Sequence, residues 1–258
     1  MAITIAELWR EGRLLAERNA VTAAPIAAAF MFLPQVVRKA ILAPPATPTV
    51  VSATDVIATF VVMALAFVGQ AAIAAIMLGG REAPYDVADA LRRSLRLLPR
   101  LLLVVLMLGL AAMPVVFILA FIAAVVLGPE RLGDPKSMIL VALPVFALFA
   151  YVGGRLFMLF PVLVAENPSA RGGIKRSWQL TAARPWVFIS CIVTGIVAVM
   201  FLTALITIVA GGLLGLLLGA DSILAELLAE TLATMAGTAV GVIIIGASVA
   251  GYRHTAGR

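Results

Sequence analysis

The sequence predicts an all-α polytopic membrane protein, with six transmembrane helices in three parallel repeats, each preceded by an amphipathic interfacial helix. Three observations predict this fold class. Hydrophobic residues make up 63% of the 258 residues and charged residues 12%, whereas soluble domains average roughly 45–50% and 25%. The apolar residues form runs longer than the ~20 that cross a bilayer. A basic pattern also recurs at steps of 82 and 83 residues, which indicates an internal repeat.

The repeat is clearest at residues 170–186, and weaker copies occupy residues 88–100 and 6–18. When the copies are superimposed, three sets of residues coincide: Arg10, Arg92 and Lys175; Gly12, Ser94 and Ser177; and Leu15, Leu97 and Leu180. We therefore expect a single membrane domain over residues 1–258, with repeat units of about 1–80, 81–165 and 166–258.

Each unit should contain one interfacial helix and two spans. The first interfacial helix, residues 4–19, begins at a capping box formed by Thr4 and Glu7. The second is expected before residue 101, with acidic residues early and arginines late, and the third within residues 170–186. The spans are predicted at residues 20–37, 56–78, 101–127, 138–165, 185–219 and 223–252. Pro25 and Pro34 should kink the first span, and Gly211 and Gly212 could break the fifth.

The charge distribution predicts the orientation. Two spans return the chain to the side it left, so all three interfacial helices and both termini should share one face. Fourteen of the 19 basic residues fall there, which places that face in the cytoplasm by the positive-inside rule. All three tryptophans and two of the three tyrosines also flank it, as expected of rings at headgroup level. The predicted location is the inner membrane of a bacterium.

The composition argues against catalysis. The chain has one cysteine, Cys191, and one histidine, His254. No P-loop, HExxH or GxSxG motif occurs in the sequence. We expect no enzymatic activity, no cofactor and no metal. Because the net charge of +6 comes from residues beside membrane segments, the expected partner is an anionic lipid surface and not nucleic acid.

The first candidate site is the set of basic and aromatic residues in the second and third interfacial helices. These side chains could hold anionic headgroups or an acidic partner, since a basic residue near an anionic leaflet contributes about 1 kcal/mol. The alternative is that they only set the topology. The set comprises Arg92, Arg93, Arg96, Lys175, Arg176 and Trp178.

The second candidate site is polar and lies within the spans. Arg155 precedes Glu166 by 11 residues, which places it ~16 Å deep if the helix is regular. Gln70 occupies almost the same place in the preceding unit. Intramembrane arginines usually face a partner or a watery cavity. Arg155 could therefore bind an anion, or anchor the bundle through Gln70, Tyr151 or helix-end carbonyls.

Glycines recur at four-residue steps in the last two spans, at Gly211, Gly215 and Gly219, and at Gly237 and Gly241. Small residues allow two helices to approach closely. Packing of the two spans against each other is one interpretation, and assembly of a homo-oligomer is the other.

A family resemblance rests on the region from Pro161 to Trp186. A span that ends with Pro161 leads to Glu166, then to the segment IKRSWQL, then to Arg-Pro-Trp at the start of the next span. This resembles the membrane domain fused to some bacterial glycerophosphodiester phosphodiesterases, and related stand-alone six-span proteins of unknown function. The resemblance implies the membrane module alone, because the histidine pair and metal-binding acids of that enzyme's catalytic barrel have no counterpart here.

The sequence supports three hypotheses for function. The leading one is a non-enzymatic inner-membrane scaffold or accessory subunit that binds lipids through its basic cytoplasmic surface. The second is a transporter of a small molecule or lipid with an intramembrane site around Arg155. The third is a homo-oligomeric structural protein. The expected partners are anionic membrane lipids and a membrane protein or a second copy of the chain.

Overall fold

The computed structural model describes residues 3–41, 52–79, 86–127, 135–219 and 222–257, and within these ranges every regular element is a helix. Six helical segments are long and apolar enough to cross a membrane. They cover residues 20–40, 53–79, 87–126, 142–166, 185–218 and 223–256. The six predicted spans are therefore confirmed as apolar helices.

The first span is interrupted where its two prolines predict a kink. Helix α1 (Ile5–Arg18) is followed by α2 (Ala20–Ala27), a π-helical turn (Ala28–Phe32) and α3 (Leu33–Ile41). In the wide turn the N–H of Leu33 donates to Ala28 O, five residues back. The turn lies directly before Pro34, whose ring would clash with the carbonyl four residues earlier in a regular α-helix. Helix α4 (Ala53–Gly79) packs against this turn at Gly69.

Helix α5 (Val87–Leu127) differs from the prediction. The basic segment up to Arg100 and the third span form one continuous helix of 41 residues, so no separate interfacial helix precedes this span. Pro99 lies inside the helix and removes one backbone donor, but no glycine or polar spacer follows that would let the chain turn. Residues 84 and 85, at the start of the predicted segment, lie outside the described residues.

The fourth span is broken directly after Arg155. Helix α6 (Pro135–Arg155) ends there, residues 156–158 form a turn, and α7 (Leu159–Glu166) completes the span. The depth of ~16 Å that we predicted for Arg155 assumed a regular helix, and the break removes that premise. Helix α8 (Ala170–Thr181) then folds back along α7, since a Cβ on Gly173 would lie 2.7 Å from Leu163 Cδ2.

The last two helices, α9 (Pro185–Leu218) and α10 (Ile223–Ala256), pack against each other and are both unbroken, so Gly211 and Gly212 do not interrupt α9. A Cβ on Gly237 would lie 3.6 Å from Val199 Cγ1, and a Cβ on Gly211 would lie 3.7 Å from Ala229 Cβ. These glycines face neighbours in the same chain, which supports the intramolecular interpretation of the glycine pattern.

Helix α1 packs tightly on the second half of α10. A Cβ added to Gly12 would lie 2.6 Å from the backbone nitrogen of Ala247, and Leu8 is fully buried. The predicted capping box is confirmed, because Thr4 Oγ1 accepts from the Glu7 N–H and Glu7 accepts from the Thr4 N–H. Those Thr4 donors lower the pKa of Glu7.

Two of the three positions that coincide in the repeat have matching environments. Gly12, Ser94 and Ser177 are all buried, whereas Arg10, Arg92 and Lys175 are all exposed. This agrees with the register that the sequence predicts. The repeat itself, the parallel orientation of its units and the interfacial placement of α1 and α8 stay predictions.

Candidate functional site

One end of the helix bundle gathers the carboxyl ends of α4, α7 and α10 together with the starts of α1 and α8. Glu166, the last residue of α7, is its centre. The Tyr252 hydroxyl of α10 donates to Glu166 Oε1 at 3.0 Å, and Arg176 Nε of α8 donates to Glu166 Oε2 at 3.1 Å. A single carboxylate therefore holds three helices in register. We call this part of the molecule the cationic end.

Two arginines of α5 reach the same corner. Arg93 Nη2 donates to the carbonyl of Val164, and Arg100 Nη1 donates to the carbonyls of Asn167 and Pro168, both at 3.2 Å. These carbonyls need donors because α7 ends there, and Asn167 leaves the helix in the left-handed region at φ 50°. Positive charge also suits a helix carboxyl end.

A second helix end, that of α4, also has its carbonyls bonded to an arginine. Arg253 Nη2 of α10 donates to Met77 O at 2.5 Å and to Leu78 O at 3.4 Å, at the end of α4. Arg93, Arg100 and Arg253 therefore bind backbone carbonyls that a helix end leaves open. Their role is structural, and they connect segments up to 176 residues apart.

The six residues of the first candidate site divide into an inner and an outer group. Arg93 and Arg176 point inward, to Val164 O and to Glu166. Arg92, Arg96 and Lys175 are exposed, and the one ion pair recorded for Arg92 is long, 3.8 Å to Asp89. The three outer cations are free to meet a ligand outside the bundle.

Trp178, the sixth residue of the set, is half-buried and belongs with Arg155. The Arg155 guanidinium carbon lies 4.6 Å from the centroid of the Trp178 ring. Tyr151 meets the same ring edge-on, with centroids 6.0 Å apart. Trp178 therefore links the two sites that the sequence predicts as separate.

The helix break at Arg155 is held by α8. The backbone carbonyl of Arg155 accepts from Ser177 Oγ at 3.0 Å and from Thr181 Oγ1 at 3.2 Å. These hydroxyls replace the helical donor that the break removes. The sequence gives a hint of this role, since Ser177 is the small residue of the repeat register.

The Arg155 side chain is only 7% exposed, and its Nε has no hydrogen-bond partner within the described part of the chain. Gln70 is half-buried on α4, and no hydrogen bond recorded among the described residues joins it to Arg155. None of the anchors that we weighed for the guanidinium (Gln70, Tyr151 or helix-end carbonyls) donates or accepts such a bond. A buried guanidinium that stacks on an aromatic ring and has an N–H without a partner can bind an anion.

A cavity at the opposite end of the bundle was not predicted. It has a volume of about 420 Å³ and lies between α3, α9 and α10. The ion pair of Lys39 Nζ with Glu230 Oε1, at 3.4 Å, belongs to it. The sequence carried a signal in the threonines at four-residue steps on α9 and α10. A few threonines within an apolar run barely lower its mean hydropathy, so this signal is easily missed.

The fold and the apolar helices define an integral, multi-pass membrane protein. Residues 130–249, which include α6 to α9 and most of α10, match the family model described as the membrane domain of glycerophosphoryl diester phosphodiesterase. The resemblance found at Glu166–Trp186 is thereby confirmed over 120 residues. Neither a curated protein nor a solved structure matches the chain significantly.

Proposed function

We propose that this protein is a non-enzymatic scaffold or accessory subunit of the bacterial inner membrane, and that its cationic end binds anionic lipid headgroups on the cytoplasmic side. One observation carries the proposal. The arginines needed for helix ends are already bonded within the bundle, yet Arg92, Arg96 and Lys175 stay exposed on the same end. Arg96 and Lys175 have no ion pair or hydrogen bond among the described residues, so they are available for the membrane surface.

The neighbouring residues support the same function. Arg10 and Arg171 are exposed at this end as well. Trp186, at the start of α9, is 73% exposed, as expected of a ring at headgroup level. The positive-inside rule then favours the cytoplasmic leaflet, where anionic lipids attract each basic side chain by about 1 kcal/mol.

The test is the lipid retained by the purified full chain. We expect native mass spectrometry to detect bound phosphatidylglycerol and cardiolipin in preference to phosphatidylcholine. The double variant Arg96→Ala/Lys175→Ala should weaken retention of the anionic lipids on the order of tenfold, because two attractive charges are lost. Retention should also fall as salt is raised.

The matched control is Arg38→Ala/Lys39→Ala, which removes the same charge from the opposite end of the bundle. This control should retain anionic lipid as the wild type does. Equal loss in both variants, or no preference for anionic lipid in the wild type, would contradict the proposal.

A second candidate function, an intramembrane anion site of a transporter, has one observation in its favour. Arg155 is buried, and its Nε lacks a hydrogen-bond partner among the described residues. The contact with Trp178 contributes about 0.5–2 kcal/mol, whereas an unsatisfied buried donor costs about 1–3 kcal/mol. A bound anion would accept a hydrogen bond from this donor and so offset the cost of leaving it unsatisfied.

The Arg155→Met variant separates the two candidates, because methionine fills similar space without charge. If an anion binds there, the variant should lose it and unfold at a lower temperature than the wild type. If no anion binds, removal of an unpaired buried charge should leave the melting temperature unchanged or raise it. Thermal unfolding with and without added phosphate measures both outcomes.

A further inference from the structure

The cavity is lined by residues at four-residue steps along α9, along α10, and along α3 with the π-helical turn before it. Such residues lie above one another on one face of a helix. The three rows are Met31, Gln35 and Lys39; Val199, Thr203 and Thr207; and Glu230, Thr234 and Thr238. The lining therefore extends along the helices, and it becomes less polar from Lys39 and Glu230 toward Met31 and Val199.

Contacts between the rows define a charged mouth and an apolar floor. Lys39 and Glu230 pair at one end. At the other end, Met31 Cε lies 3.3 Å from where a Cβ on Gly241 would be, and Val199 lies beside Gly237. A volume of about 420 Å³ is within the range of small-ligand sites, ~300–1,000 Å³.

The threonines that line the cavity offer acceptors more than donors. Thr203 Oγ1 donates to Val199 O at 2.8 Å, Thr234 Oγ1 to Glu230 O at 2.8 Å, and Thr238 Oγ1 to Thr234 O at 2.9 Å. Each hydroxyl proton is thus used by its own helix, while the oxygen lone pairs remain free to accept. Such a lining suits a ligand that brings its own N–H or O–H donors.

The ion pair at the mouth can open at low cost. The side chains of Lys39 and Glu230 are 43% and 39% exposed, and exposed ion pairs contribute little to stability. A ligand with one positive and one negative group would replace this one contact with two, a cation on Glu230 and an anion on Lys39. A neutral ligand would gain neither.

We infer that this cavity binds a zwitterion that carries a primary ammonium and a phosphate, with the ammonium on Glu230 and the threonine oxygens, and the phosphate on Lys39. A free phosphoamine and the headgroup of an aminophospholipid share this chemistry. The site lies at the end of the bundle opposite the cationic end, so it is a second, separate site.

The experiment measures binding by the purified full chain to two probes. O-phosphoethanolamine tests the free ligand, and nanodiscs with phosphatidylethanolamine test the lipid. Phosphocholine and phosphatidylcholine are the controls, because their quaternary ammonium has the same charge but no N–H donor. Binding of O-phosphoethanolamine identifies a soluble ligand, and binding of the lipid probe alone identifies a headgroup.

The Glu230→Gln variant should weaken binding at least about tenfold, because a charged hydrogen bond is lost. Glu226→Gln is the matched control: Glu226 is exposed one turn earlier on α10 and does not line the cavity. If Glu230→Gln does not fold, Thr234→Val decides in its place, since it removes one acceptor at constant shape. The Arg96→Ala/Lys175→Ala variant should bind normally.

Three results would overturn the inference. They are the failure of both ethanolamine probes to bind, unchanged binding in the deciding variant, and binding of the choline probes as tight as that of the ethanolamine probes. None of these results bears on anionic lipid at the cationic end.

Discussion

At the residue scale, the arginines of this protein differ in what satisfies their guanidinium groups. Arg93, Arg100 and Arg253 donate to carbonyls at the ends of helices. Arg92 and Arg96 are exposed. Arg155 is buried against an aromatic ring. The sequence shows all of these as basic residues beside apolar runs, and only the structure separates the bonded ones from the free ones.

This difference predicts unequal effects for two arginines of α5 that are one turn apart. Arg100→Ala removes the donor to Asn167 O and Pro168 O, and we expect it to lower stability by about 1–2 kcal/mol, near the lower end for hydrogen bonds of charged groups. Arg96→Ala, the matched control, should change stability by less than about 0.5 kcal/mol. Thermal unfolding in detergent measures both, and equal melting temperatures would contradict the role of Arg100.

The sequence alone cannot show which arginines are exposed and which donate to backbone carbonyls, for a physical reason. The acceptor of Arg253 is 176 residues away, and it is a backbone carbonyl that any residue type supplies. No side-chain pattern marks it. The capping box of Thr4 and Glu7 was predictable because both partners are local and their side chains are specific.

At the element scale, runs of high hydropathy predict where the helices lie, and glycines mark places where two helices pack closely. Five of the six apolar runs correspond to helical segments within a few residues of their predicted bounds, whereas the third extends back to residue 87. Two features were missed: the continuity of α5 through Pro99, and the break after Arg155. The break depends on tertiary contacts, because hydroxyls of α8 that follow 22 and 26 residues later stabilise it. The continuity of α5 is a local effect, since no glycine or polar spacer follows Pro99.

The contact of α1 with α10 gives a prediction at this scale. In Gly12→Ala the new Cβ would meet the Ala247 nitrogen at 2.6 Å and the Ile243 carbonyl at 2.8 Å, both backbone atoms. We expect a loss of about 1–3 kcal/mol from overpacking.

Gly109→Ala is the control for this helix contact, because nothing lies within 4 Å of the Cβ that it adds to α5. The control should be neutral or slightly stabilising, since alanine favours a helix over glycine. Melting temperatures of the two variants in the same detergent provide the comparison. A melting temperature of Gly12→Ala equal to that of the wild type would show that α1 does not pack closely on α10.

At the scale of the whole molecule, the two ends of the bundle differ in chemistry. The cationic end holds the Glu166 network and the exposed Arg92, Arg96 and Lys175. The other end holds the cavity with the Lys39–Glu230 pair. The charge pattern of the sequence predicted the first end and missed the second, because the cavity brings together three rows of residues that are weakly polar when taken one at a time.

The most direct test of the account is the side of the membrane on which each end lies. In a Cys191→Ala background, which removes the single, buried cysteine, the variants Lys175→Cys and Lys39→Cys would each be labelled with an impermeant maleimide. We predict that Lys175→Cys reacts in inverted vesicles alone and Lys39→Cys in intact spheroplasts alone. Labelling of both from one side, or the reverse pattern, would contradict a cytoplasmic cationic end.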